Sequence, residues 1–190
     1  MVSTKDIVVI AIGTALYVVF TGLSAVTTAV PGFAIVFLAT LWLGTLPIWF
    51  GIFGVSAVFL GDLIGSVVIT GGGFMGVVSA VGSLIGVIPM YFLVFKGSSE
   101  IKTIKGLINY LIANAIIIFL IPALIFSFYV LLGFIPAEEA WAIFTITEIV
   151  NQPLWAVINT IVMKTITPYI KRTGYYYGTF WERGKKTAQP

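Results

Sequence analysis

The chain has 190 residues, 59% of them hydrophobic and 9% charged, with a net charge of +3 and a mean hydropathy of +1.12. Soluble domains carry about 25% charged residues, so this chain cannot cover its surface in water, and the composition predicts an integral membrane protein of one domain. The absence of Cys excludes disulfides and thiol chemistry, the absence of His removes the commonest general base and metal ligand, and the basic residues flank apolar runs as topology signals do, which argues against a nucleic-acid partner.

The opening "MVSTKDIVVIAIG" runs into an apolar stretch that outlasts the hydrophobic region of a signal peptide, and predicts a first transmembrane helix over Ile7–Ala25. "TTAVPG" breaks the run before a short second span, Phe33–Leu43. At about 1.5 Å per residue this span barely crosses a bilayer, so it must tilt into thinned lipid or pack within protein. "GTLP" leads into a third span, Ile48–Ile64, and "TGGG" separates that from a fourth, Phe74–Phe95. The fifth, Ile104–Leu132, and the sixth, Ala140–Ile170, complete the set.

Lys5 precedes the first span, Lys96, Lys102 and Lys105 lie between the fourth and fifth, and Lys171, Arg172, Arg183, Lys185 and Lys186 follow the sixth. The opposite loops carry no Lys or Arg, and one of them holds Glu138 and Glu139. Positive charge collects on the cytoplasmic side of membrane proteins. The reading is therefore an all-α bundle of six transmembrane helices with both termini cytoplasmic: a membrane domain over 1–173 and an aromatic, basic tail over 174–190 at the inner headgroup layer.

Small residues recur four apart, at Gly61 and Gly65, Gly72 and Gly76, and Gly82 and Gly86, as in helices that approach closely inside lipid. Ala11 and Ala15 make a flat strip on the first helix that receives another helix, either of this chain or of a partner.

The last helix carries Glu148, Asn151, Gln152, Trp155 and Asn159 at steps that keep them on one face, with Pro153 inside the stripe and Trp141 and Phe144 continuing it outward. One acid, amides and aromatic rings together suit a flat polar heterocycle or an amide-bearing metabolite. Asp62, on the third span, joins Glu148 in the outer half, where no Lys or Arg is placed to neutralise either. Hydrogen bonding between helices is the competing role for each of these groups, and it is the expected one for Asn159 and Asn114, while Lys164 snorkels toward the inner surface. No catalytic residue is expected: the Glu138–Glu139 pair resembles the paired glutamates of some membrane proteases, but their further His residues have no counterpart. No Gly-x-x-x-x-Gly-Lys-Ser/Thr loop occurs, so the chain does not hydrolyse ATP by itself.

These features together resemble the substrate-binding S components of energy-coupling factor (ECF) transporters. The Ala-x-x-x-Ala of Ala11 and Ala15 is similar to their coupling motif. "LWLGTLPIWFGIFGVSAVFLGDLIGS" resembles their short second helix, turn and Gly-rich third helix ending in an acid, and "GGGFMGVVSAVGSLIGVIPMYF" their fourth. The resemblance implies a multi-pass protein of a prokaryotic cell membrane that captures a vitamin or similar trace nutrient near the outer face. It further implies a membrane scaffold subunit and two ATPase subunits as partners, and no cofactor or metal. The site implied lies among the last three helices and the loop after the first, here "AVTTAVPG", a lid. The expected substrate-binding residues are Glu148, Asn151, Gln152, Trp155, Trp141, Phe144 and Asp62, and the expected coupling residues Ala11 and Ala15. The alternative is a self-sufficient proton-coupled carrier that uses Asp62 and Glu148.

Overall fold

The computed structural model describes residues 3–30, 33–34, 36–89 and 101–178. Lys96, the end of the fourth expected span at Phe95, and residues 179–190 of the expected tail lie outside the described residues.

The chain is an all-α bundle. Helix α1 (Thr4–Ser24) begins with a capping box, in which the Asp6 amide donates to Ser3 Oγ at 3.3 Å and the Ser3 amide to Asp6 Oδ2 at 2.7 Å. After it comes a strap, a 3-10 turn followed by a two-stranded antiparallel ribbon of β1 (Thr28–Val30) and β2 (Phe33–Ala34). Two short helices follow, α2 (Thr40–Leu43) and α3 (Leu46–Phe50). Next is α4 (Ile52–Ile64), extended by a π-helical turn over Gly65–Ile69, and then α5 (Phe74–Pro89), α6 (Ile104–Leu131) and α7 (Ala137–Arg172). Helix α7 places Glu138 and Glu139 in its first turn and Lys171 and Arg172 in its last, matching the helix dipole at both ends.

Thr4–Ser24, Ile52–Ile69 and Ile104–Leu131 are long and apolar enough to cross a membrane, and Thr40–Phe50 and Phe74–Ile88 are shorter apolar helices. Large apolar side chains are exposed along the outward faces: Ile12, Val19 and Leu23 on α1, Ile112 and Phe119 on α6, and Val157 and Ile161 on α7. Such a surface is stable against hydrocarbon and not against water.

The second crossing departs from expectation. Phe33 and Ala34 belong to the ribbon, and the helical part falls at Thr40–Phe50 in two pieces. The third expected span, Ile48–Ile64, also divides, between α3 and α4, and that turn has a local cause. Gly51 turns the chain at φ 60°, and Gly54 packs directly on the Leu46 carbonyl, where no β-carbon fits, so α3 folds back against α4.

The glycine rows serve packing within the chain. A β-carbon at Gly13 would stand 2.8 Å from Ala57, one at Gly61 2.5 Å from Tyr17, and one at Gly65 2.7 Å from Thr21, so α1 and α4 run parallel in four-residue steps. Gly82 and Gly86 receive Ile125 and Ile121 of the antiparallel α6, and Gly76 sits on the Ser66 backbone. The parallel pair forces residues 25–50 to return between the two ends. They do so along α7: Phe37 reaches Asn151, Thr40 reaches Asn159, and Trp49 Nε1 donates to Thr167 Oγ1 at 2.9 Å.

The start of the expected tail is part of the bundle. The amides of Tyr177 and Gly178 donate to the Trp49 carbonyl at 2.8 and 3.1 Å, the Tyr177 hydroxyl donates to Asp6, and Lys5 Nζ lies 5.2 Å from the Tyr175 ring. The beginning of α1 and the end of α7 thus share one end of the molecule, and the strap lies at the other.

Candidate functional site

Helix α6 packs against both α5 and α7. A small cavity lies among these three helices, α2 and the end of the strap, part of about 460 Å³ of empty space that opens to the outside of the bundle. Helix α6 supplies an apolar wall, with Ile117, Ile121 and Ile125 beside Pro122. Pro122 has no amide to give the Ile118 carbonyl, and both residues line the space. Phe37, Thr40 and Leu43 close the cavity from the strap and α2. The polar lining is hydroxyl and amide: Ser79 and Ser83 from α5, Thr147 and Asn151 from α7.

Behind Ser83 stands Asp62 of α4, with 0% of its surface exposed. Ser66 Oγ donates to Asp62 Oδ1 at 2.6 Å, and Ser83 Oγ donates to Asp62 Oδ2 in a close contact. Ser66 belongs to the π-helical turn, a device that shifts helix register and often marks functional positions. Asp62 therefore reaches the cavity through Ser83.

The polar stripe of α7 divides into two adjacent rows. One row is Thr147, Asn151, Trp155 and Asn159, all buried. Asn151 faces the cavity and is engaged on all sides: its Nδ2 donates to the Thr147 carbonyl at 2.8 Å, and its Oδ1 accepts from Trp155 Nε1 at 2.8 Å and from the Phe37 amide at 3.4 Å. Trp155 thus sits beneath Asn151 and holds its orientation. Farther along, Asn159 Nδ2 donates to Asn114 Oδ1 at 2.7 Å, joining α7 to α6.

The other row is Glu148 and Gln152, which bond to each other at 2.8 Å. Gln152 Nε2 also donates to the Ala115 carbonyl of α6 at 3.2 Å. Glu148 is half-buried, its Oε1 meets no partner among the described residues, and neither side chain lines the cavity. Trp141 is exposed and packs edge-on against Phe144, whose ring also meets Phe119 and Phe126 of α6. Of the seven expected site residues, the structure brings Asn151 to the cavity, and Asp62 and Trp155 to the layer behind it.

Ser79, Ser83, Thr40 and Thr147 line the cavity without having been singled out by sequence. Asp62 and Asn151 were the expected residues that pointed here, and the one-turn spacing of Asp62 and Ser66 is a signal that could have tied the acid to a hydroxyl.

Ala11 and Ala15 lie on the exposed side of α1, away from its packed Gly13 and Tyr17. Beside that side an open apolar groove of about 1100 Å³ runs between α1 and α7, lined by Ile12 and Leu16 on one and Val162 and Ile166 on the other.

The fold and the site define an α-helical membrane protein with a small, partly open cavity among its helices. No family model, no curated protein and no solved structure matches the chain.

Proposed function

We propose that this chain is the substrate-binding subunit of an ATP-driven importer of the ECF type, in the cell membrane of a prokaryote, and that it captures a vitamin-like nutrient from outside. The observation that carries the reading is the partly enclosed cavity beneath a latched strap. The Phe37 amide meets Asn151 at 3.4 Å, and the Leu38 amide donates to Ser24 Oγ at 2.8 Å, so the strap is fixed both to α7 and to the end of α1. A binding subunit that must hold a dilute nutrient needs an enclosed site and a segment that opens it. Two further features favour the reading. The exposed Ala11–Ala15 strip is free to receive a scaffold helix, and the chain lacks a phosphate-binding loop, which leaves ATP hydrolysis to partner subunits. The chain is read as a binder and not as an enzyme.

Both termini are assigned to the cytoplasm, because Lys5, Lys102, Lys105, Lys171 and Arg172 belong to the end that carries them. The buried Asp62 beside the cavity favours a second reading, a proton-coupled carrier. Reconstitution separates them. An ECF-type subunit accumulates substrate in vesicles only with a scaffold subunit, two ATPase subunits and ATP. Accumulation by this chain alone, driven by a proton gradient, establishes the carrier instead.

A further inference from the structure

We propose that the cavity takes a compact organic cation: an ammonium group directed at the Ser83–Asp62 corner, on a small aromatic or heteroaromatic body that carries an acceptor for Thr147. The proposal rests on the binding-subunit reading and names the substrate class of that site.

The α5 side of the cavity places hydroxyls, Ser79 and Ser83, in front of a buried acid. Ser83 has one hydroxyl proton and gives it to Asp62, so it turns lone pairs toward the cavity it lines. Asp62 holds about four lone-pair sites, and Ser66 and Ser83 use two of them. Both donors are neutral. The described Lys and Arg side chains lie toward the end that carries the termini, so no protein cation serves this carboxyl among the described residues. The groups around the acid, the buried Tyr17 hydroxyl beside Ser83 included, are neutral hydroxyls, and a cationic donor forms a stronger bond with a carboxylate-backed acceptor than a neutral one does.

The α7 side offers one uncommitted group. Thr147 is 2% exposed and lines the cavity, and its Oγ1 has no hydrogen-bond partner among the described residues. The neighbouring Asn151 amide is already engaged by Thr147, Trp155 and Phe37. A buried hydroxyl without a partner is costly, so its retention at the cavity wall points to a ligand that completes it. Between the two polar corners lie Ile117, Ile121 and Ile125, aliphatic side chains that shift aside to seat a flat apolar body, since the space between them now has room for about two water molecules.

Three probes test this on purified protein freed of co-purified ligand: 4-(aminomethyl)pyridine, 4-pyridinemethanol and benzylamine. The first two differ only in amine against alcohol, and the first and third in the ring nitrogen. By calorimetric titration at neutral pH, 4-(aminomethyl)pyridine binds about tenfold or more tighter than the alcohol. Asp62→Asn erases that preference. Thr147→Val erases the advantage of the ring nitrogen and leaves the melting temperature equal to wild type or higher, since it removes an unsatisfied hydroxyl and keeps the shape. If Asp62→Asn does not fold, Ser83→Ala, which deletes the acceptor facing the cavity, must weaken the amine preference in its place. Equal binding of amine and alcohol to wild type, a preference that survives these variants, or failure of all three probes to bind overturns the proposal. The outcome is separable from the transport reading: ATP-driven uptake without amine selectivity removes the cation site alone, and amine selectivity without ATP-driven uptake removes the importer alone.

Discussion

Glu148 and Asp62 are both intramembrane acids, but their surroundings assign them different work. Glu148 is tied to Gln152, which bridges to α6, whereas Asp62 is tied to two hydroxyls, one of which lines the cavity. Glu148→Gln is therefore expected to leave ligand affinity unchanged and to show its effect in thermal stability. Loss of affinity in this variant would move the site to the α6–α7 seam. Asn159→Leu strands Asn114 Oδ1, which accepts from Asn159 Nδ2, and a buried acceptor so orphaned costs about 1–3 kcal/mol. Denaturation of the variant should show that loss, while ligand binding to the remaining folded protein persists. The role of Asn159 was legible in sequence, because a row of amides one turn apart in an apolar helix has few partners other than a neighbouring helix. The cavity hydroxyls were not. Ser and Thr in such helices commonly bond their own preceding turn, as Ser56, Ser127 and Thr145 do here. Nothing local distinguishes Ser83 or Thr147 from these. Only the packing of α5 and α7 around α6 does.

Among the elements, α1 has two working faces. Gly13, Tyr17 and Thr21 pack on α4, and the opposite side leaves Ala11 and Ala15 exposed. A phenylalanine at Ala15 enters neither the core nor the cavity, so Ala15→Phe should match wild type in melting temperature and in ligand affinity. Uptake with the scaffold and ATPase subunits should fall to background, because the bulky ring holds a docking helix away from the strip. Loss of binding together with uptake would make the strip an internal packing surface. The glycine spacings foretold close helix contacts but not which helices meet. The parallel pairing of α1 with α4 requires residues 25–50 to return between the ends, and sequence periodicity does not encode that return. For the same reason the division of the third expected span was not legible: an apolar run does not reveal that Gly51 turns and Gly54 abuts the Leu46 carbonyl.

At the scale of the whole molecule, the Tyr177–Asp6 contact places both termini at one end, with the strap and the turn before α7 at the other. The Phe74 and Phe134 rings, 5.9 Å apart, join two of the far-end turns. The chain has no native Cys, so single cysteines report topology without background. A cysteine at Ala137 should react with an impermeant thiol reagent on intact cells, and one at Lys102 should react only after lysis; the reverse pattern would invert the assignment of the termini. The all-α membrane class was legible because composition and charge placement are properties of the whole chain. The cavity was not, because it exists only where the end of the strap, α2, α5, α6 and α7 meet.

The central claim is that this cavity holds a small molecule. Mass spectrometry of the molecules released when the protein, purified in mild detergent, is denatured tests it most directly. The account predicts one defined small molecule in near-stoichiometric amount from wild type, sharply depleted in Asp62→Asn and retained in Glu148→Gln. Wild-type protein that releases only lipid and detergent, from preparations shown to be folded, or equal release from Asp62→Asn, would contradict it.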